Sequence, residues 1–339
     1  MNATREWGRA APRQGGAIAL GKLWAGRIET RAAVSTSQYR DHQHEQIPID
    51  GSLRGKPAVS AIETRSEQAC FGGRQGFYSH VSEQTGTRMN FSVFLPPQAQ
   101  QAAVPALYFL AGLTCSEETF MIKAGAQRRA AELGLALVSC DTSPRGLNLP
   151  GDAEAWDFGV GAGFYLDATQ APWSTNYRMG SYVNLELPAL VEANFAIRSD
   201  RRGLSGHSMG GHGALTLALR HPQRWHSVSA FAPIANPVAV PWGQKAFTNY
   251  LGEDRGRWDD HDASRLMAAR AYPGLLLIDQ GEADQFLAAQ LHPQALEAAA
   301  AVSGQQLQLR RHAGYDHSYW FIQSFIADHL VHHANQLQA

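Results

Sequence analysis

The chain is poor in cysteine, in net charge and in long apolar runs, and each shortage removes a class of protein. Three cysteines in 339 residues, at no framework spacing, exclude a disulfide-stapled scaffold and suggest a reducing compartment, the cytoplasm. Neither sign of charge dominates, with 29 Lys and Arg against 30 Asp and Glu. Neither a nucleic-acid surface nor a sink for acidic ligands is therefore indicated. No apolar run reaches spanning length, and Lys22 interrupts the one mildly apolar early stretch, so neither a membrane helix nor a secretory signal is expected. What is present is enough apolar material for a large core, 44% of residues against 17% charged. Strand and helix signals alternate along it, which predicts one main α/β domain. A homodimer is compatible with the sequence.

Residues 1–60 stand apart. They are rich in Arg, Gln, Gly and Ala, contain Pro12 and Pro48, and show no sustained period, as expected of a flexible extension. An Arg-rich organelle transit peptide, a disordered tail and a true start near Val59 are the competing readings, with a dispensable tail preferred. Ile-Glu-Thr-Arg occurs at 28–31 and again at 62–65, but one tetrapeptide does not establish a duplication. The folded domain is expected over 61–339.

The most informative local feature is Gly206-His207-Ser208-Met209-Gly210, a GxSxG pentapeptide between a short strand-like run and a helical stretch, Gly211 to Arg220. An abrupt strand-to-helix turn brings neighbouring main chain close, and glycines before and after the serine avoid Cβ clashes there. The turn exposes the Ser208 hydroxyl and aims the Met209 N–H and the helix N-terminus at the place where an oxyanion would form. Five-residue patterns of this kind also occur as plain glycine turns, so the motif needs support elsewhere.

Two later segments supply it. Leu275 to Asp279 is an apolar run of strand length followed by the loop Gln280 to Asp284, and Leu307 to Arg311 alternates like a strand before the loop Ala313 to Ser318. Ser208, Asp284 and His317 then follow one another in the order used by α/β-hydrolases, distinct from both familiar protease orders. Asp279, Glu282 and Asp316 compete for the acidic role. Asp284 is preferred because Asp279 still belongs to the strand and Asp316 adjoins the histidine itself. A second oxyanion donor is expected after the strand Ala106 to Ala111, with the Leu113 N–H as candidate. Ser116, with Glu117 and Glu118, would serve there as a helix cap.

Other residues carry weaker expectations. Cys115, two positions beyond Leu113, either borders the pocket or is a small buried apolar residue. His329, His332 and His333 lack an acidic or cysteine partner downstream and are expected on a solvated helix face, not at a metal. Trp156, Trp173, Tyr177 and Arg178 are minor candidates for a substrate cleft, since aromatics are more often core.

From about Ala69 onward, roughly four fifths of the chain resembles the S-formylglutathione hydrolase, or esterase D, family. The resemblance rests on YFLAGLTCSEETF (108–120), DTSPRG (141–146), WDFGVGAGFYLDAT (156–169), PWSTNYRM (172–179), GHSMGGHGAL (206–215), SAFAPIANP (229–237), DQGEADQFL (279–287) and GYDHSYWFI (314–322). Departures are small: Trp320 stands where Tyr is common, Cys140 where Pro is usual, and Leu204-Ser205 is a less apolar lead-in. The resemblance implies an α/β-hydrolase fold with a mostly parallel central sheet and a small-molecule thioester substrate, S-formylglutathione, cleaved to glutathione and formate in formaldehyde detoxification. It also implies activity on small activated esters, and it needs no metal or organic cofactor. Carried over by position, Ser208 is the nucleophile, Asp284 and His317 complete the triad, and Leu113 and Met209 form the oxyanion hole. A general carboxylesterase or acyltransferase is the alternative within enzymes, because fold and triad alone do not choose the acyl donor. A non-catalytic binding protein on the same fold would not need all three triad residues.

Overall fold

The computed structural model describes residues 61–338; the extension expected over 1–60, the repeat at 28–31 and the alternative start at Val59 lie outside them. The described chain builds a nine-stranded sheet in the order β1-β2-β3-β5-β4-β6-β7-β8-β9. The strands are β1 (Glu63–Cys70), β2 (Gly73–Val81), β3 (Arg88–Leu95), β4 (Val104–Leu110), β5 (Ala136–Cys140), β6 (Ile197–Gly206), β7 (Ser227–Phe231), β8 (Leu276–Gly281) and β9 (Leu307–His312). The first three form an antiparallel meander, and β3 joins β5 antiparallel. From β5 through β4, β6, β7 and β8 to β9, every pairing is parallel. With helices covering it, this is the α/β-hydrolase fold.

Burial follows from that layering. The central strands β4, β5, β7 and β8 are buried at every position, as expected of parallel strands covered on both faces, and their sequences accordingly read as nearly continuous apolar runs. β1, at the edge, is exposed at most positions and carries Glu63, Arg65 and Glu67, charges that discourage pairing with another chain's edge. Arg65 bonds Glu117 at 2.5 Å, and Tyr78 donates to Glu67 at 2.6 Å.

The last helix, Tyr319–Leu337, buries Phe321, Ile322, Ile326, Leu330 and Leu337, each worth roughly 1.5–3 kcal/mol of transfer free energy. His329 and His333 lie on the same buried stripe, which corrects the solvated face expected of them. His333 bonds the Ser227 and Ser229 hydroxyls at 2.7 and 2.8 Å, His332 bonds the Val228 carbonyl at 3.0 Å, and His329 stacks on Phe231 with ring centres 3.8 Å apart. The hydroxyls of β7 give His333 its hydrogen-bond partners, and the Asp279 carboxylate lies 3.3 Å from His329 Nε2. Among the described residues no group of His, Cys, Asp or Glu is placed to hold a metal ion.

Because β4, β6, β8 and β9 are mutually parallel, their carboxyl ends reach one rim of the sheet. The segments after them carry Leu113, Ser208, Asp284 and His317 respectively, so topology gathers at one edge what the sequence spreads over 205 positions.

Candidate active site

β6 stops at Gly206, and the helix Met209–Arg220 begins immediately after Ser208, which sits at φ 58° and ψ −119°. That conformation is unfavourable for a residue with a side chain and persists only where the surroundings hold it. They do so here: the Ser208 N–H donates to the Phe231 carbonyl at 2.9 Å, and the Ser208 carbonyl accepts from His212 N at 3.0 Å. A Cβ on Gly206 would collide with the Gly210 carbonyl, and one on Gly210 with the carbonyls of Leu110 and Ala111. Both glycines of the pentapeptide are therefore demanded by close main-chain approach.

Asp284 is 6% exposed in the loop after β8. Its Oδ2 lies 2.5 Å from His317 Nδ1, its Oδ1 accepts from the Phe286 amide at 2.8 Å, and Gln280 Nε2 reaches Oδ2 at 3.4 Å. A carboxylate at Nδ1 keeps the proton there and leaves the Nε2 lone pair available. The competing acids are occupied otherwise. Asp279 is buried and accepts from Arg310 Nε and Nη2, both at 2.6 Å, with His312 and His329 each 3.3 Å away. Burial would raise its carboxyl, but His329 and Arg310 outweigh that and hold it far below the usual range. Glu282 is exposed. Asp316 points back to Ser318, accepting from its amide at 3.0 Å and its hydroxyl at 2.5 Å.

The loop after β4 is clamped from outside. Thr114 adopts φ 67°, and its N–H donates to the Gly161 carbonyl at 2.9 Å. Tyr165 donates to the Ala111 carbonyl at 2.9 Å. The Cys115 carbonyl accepts from Thr142 Oγ1 at 2.6 Å and from Arg145 Nη2 at 3.0 Å, and Arg145 is itself forked onto Asp141 at 2.6 and 2.8 Å. The segments DTSPRG and WDFGVGAGFYLDAT thus fix the backbone that carries Leu113. Among the described residues, neither the Leu113 N–H nor the Met209 N–H is committed to a backbone hydrogen bond, the latter as the first amide of its helix. Ser116 caps the following helix: its hydroxyl accepts from Glu118 N, and Thr119 returns a bond to Ser116 N at 3.1 Å.

Ser208, His317, Leu113 and Cys115 all line one cavity of about 210 Å³. Its remaining wall is aromatic. Trp156 meets Trp242 edge-on at 5.5 Å, Trp242 meets Phe286 at 4.7 Å, and Phe286 meets His317 at 5.1 Å. Tyr319 and His207 complete the lining. His207 packs against His317 with ring centres 4.4 Å apart, and burial, then repulsion from a charged His317, push its imidazole well below the ordinary value. Only one of the four minor cleft candidates reaches this cavity. Trp156 lines it at 57% exposure, whereas Trp173 and Tyr177 are buried against Tyr250 and Arg178 is exposed elsewhere. Sequence reasoning passed over Trp242, Phe286, Tyr319 and His207. Phe286 and Tyr319 each stand two residues beyond a proposed triad member and His207 one before, a proximity that could have flagged them; Trp242 carried no local signal.

Comparison with known proteins gives a consistent picture. Residues 82–332 match the family model described as "Putative esterase". The chain is 53% identical over 277 residues to S-formylglutathione hydrolase of Paracoccus denitrificans, covering 82% of this chain and 99% of that protein. It is 51% identical over 276 residues to the rat enzyme of the same name, covering 81% and 98%. The solved structure of an S-formylglutathione hydrolase from Agrobacterium tumefaciens superposes with a TM-score of 0.79 at 46% identity, covering 81% of this chain and 99% of that one.

Proposed function

Since the chain belongs to the S-formylglutathione hydrolase family, serine hydrolases of the α/β-hydrolase fold, we propose that it cleaves S-formylglutathione to glutathione and formate, with Ser208 as nucleophile. The observation that carries this reading is the 2.5 Å contact between Asp284 and His317 at the cavity that Ser208 and His317 share. His317 Nε2 takes the Ser208 proton as the hydroxyl oxygen attacks the formyl carbon. The Leu113 and Met209 amides hold the resulting oxyanion. Collapse breaks the carbon–sulfur bond, and the proton on His317 passes to the leaving sulfur, releasing glutathione as its thiol. The formyl ester left on Ser208 is hydrolysed by a water that His317 deprotonates, and formate departs. Asp284 holds the tautomer and stabilises the imidazolium in both half-reactions.

The cavity volume bears on the acyl group. About 210 Å³ suits a formyl thioester and not an entire tripeptide, so most of glutathione would lie across the mouth, where Trp156 stands exposed. The same aromatic wall would accept small activated esters, which keeps a general carboxylesterase or acyltransferase as the second reading. Three unpaired thiols, Cys70, Cys115 and Cys140, favour a reducing location, the cytoplasm, and the substrate would arise there during formaldehyde detoxification, when a separate dehydrogenase oxidises the hemithioacetal of formaldehyde and glutathione to the thioester.

Steady-state hydrolysis of S-formylglutathione and of p-nitrophenyl acetate by wild type and Ser208→Ala tests this. The thioester is expected to be strongly preferred and Ser208→Ala to abolish both activities. Cleavage of the ester alone would favour the esterase reading, and turnover surviving in Ser208→Ala would overturn the nucleophile.

A further inference from the structure

The helix that starts at Ser208 ends at Arg220, about 18 Å away at 1.5 Å per residue, and its far end borders a second cavity of about 560 Å³. The polar groups of this cavity are unbalanced. Its one lining carboxylate, Asp167, has both oxygens hydrogen-bonded to one residue: Oδ1 accepts from the Ser181 amide at 2.8 Å and Oδ2 from the Ser181 hydroxyl. The acceptors of Asn184 are used as well, its side-chain oxygen by the Trp225 indole at 3.2 Å and its carbonyl by Arg224 at 3.0 Å. Donors are left over. Arg220 forms no ion pair among the described residues, Arg224 has N–H groups beyond the one given to Asn184, and the Asn184 amide nitrogen is uncommitted.

Two imidazoles in the wall register the resulting field. His221 is pushed below its ordinary value by burial and then by Arg220 and Arg224. His261 is pushed down to about 4 by burial and then by Arg220, although Asp260 and Asp167 pull it the other way. Both are therefore neutral at pH 7, and the cavity sets the two positive charges of Arg220 and Arg224 against the single negative charge of Asp167. Guanidinium forks match phosphate oxygens in geometry and charge. The volume exceeds that of a bare oxyanion and leaves room for a small polar body attached to it.

We propose that this second cavity binds a small phosphate-bearing metabolite, its phosphate held by Arg220, Arg224 and the Asn184 amide, at the end of the elbow helix opposite Ser208. The site is separate from the catalytic cavity and does not depend on which acyl group is cleaved there. A bound dianion offsets the arginine field, so occupancy lets His221 and His261 take up protons at higher pH than in the free protein.

The test is a titration of the full chain with inorganic phosphate, followed by the imidazole resonances of His221 and His261, with citrate in a parallel arm. Saturable phosphate binding is expected, together with an upward shift of the His221 titration. Arg220→Gln is expected to weaken binding about tenfold or more, the loss of a charged hydrogen-bonding partner. The same variant should turn over p-nitrophenyl acetate at the wild-type rate, which shows that it is folded. No saturation by about 10 mM phosphate, a level at which even weak millimolar sites fill, overturns the proposal, as does equal affinity in Arg220→Gln. Citrate binding more tightly than phosphate with the same dependence on Arg220 replaces a phosphate ligand by a polycarboxylate and overturns the assigned class.

Discussion

Replacing Asp284 by asparagine changes one atom of the proposed triad and almost nothing of its volume, and the surrounding hydrogen bonds say what must follow. Oδ1 accepts from the Phe286 amide at 2.8 Å, while Oδ2 faces His317 Nδ1 at 2.5 Å. An asparagine has one oxygen for these two sites. If that oxygen keeps the Phe286 bond, the amide NH2 points at Nδ1, which must then present its lone pair, and the imidazole proton moves to Nε2, where Ser208 needs a base. The NH2 would also face the Gln280 amide nitrogen, now 3.4 Å from Oδ2. If the amide flips instead, the Phe286 N–H meets a donor and loses its partner at a site only 6% exposed. Wrong tautomer and lost imidazolium stabilisation together typically cost on the order of 10³–10⁴ in kcat, or about 4–5.5 kcal/mol at 1.36 kcal/mol per decade. The assay is kcat on S-formylglutathione and on p-nitrophenyl acetate, with thermal unfolding as the control for structure. Asp316→Asn should stay within a few-fold of wild type, because that carboxylate only bonds Ser318, the residue that caps the last helix. Asp279→Asn should lower stability first, because it strips Arg310 and His329 of a buried partner. A folded Asp284→Asn within tenfold of wild-type kcat would refute the assignment.

Two further outcomes are expected. Thiol alkylation should slow the enzyme through Cys115, which lines the cavity at Ser208, and should accelerate toward high pH because burial raises this thiol; Cys115→Ala should be active and resistant, and unchanged sensitivity in that variant would exclude Cys115 as the target. Stability should fall as pH drops below 6.5, because half-buried His332 and buried His212 are held down to about 4 and about 3, chiefly by desolvation. The unfolded chain then takes up protons before the folded one does, so the stabilisation is complete above 6.5 and is lost progressively toward those values. His332 alone contributes roughly 2–3 kcal/mol of this loss by pH 4.5; denaturant unfolding at pH 7.5 and 4.5 measures it, and equal midpoints would contradict the sign.

How far this was legible in advance depended on the range of the interaction. The strand before the elbow, the helix after it, the β8 and β9 runs and the Ser116 cap are visible in sequence because apolar runs, glycine and capping residues act over a few positions. Even there, limits shifted: the elbow helix starts at Met209, earlier than Gly211, and β8 runs on to Gly281. The His329, His332 and His333 face was misjudged, since a histidine-rich stripe reads as polar until a sheet with buried hydroxyls is laid against it. DTSPRG had no assigned role in the sequence, yet Asp141, Thr142 and Arg145 clamp the loop that carries Leu113.

The amino-acid sequence by itself determined the elements, the elbow and the order of Ser208, Asp284 and His317, because sterics and apolar periodicity are local properties of the chain. Tertiary structure alone decided that Asp279 is taken up by Arg310, that Trp242 and Phe286 wall the cavity, and that Arg220 and Arg224 share a second one. Those outcomes depend on which strand ends the parallel sheet order brings side by side, and hydrogen bonds and charges between them form only once segments distant in sequence are packed together.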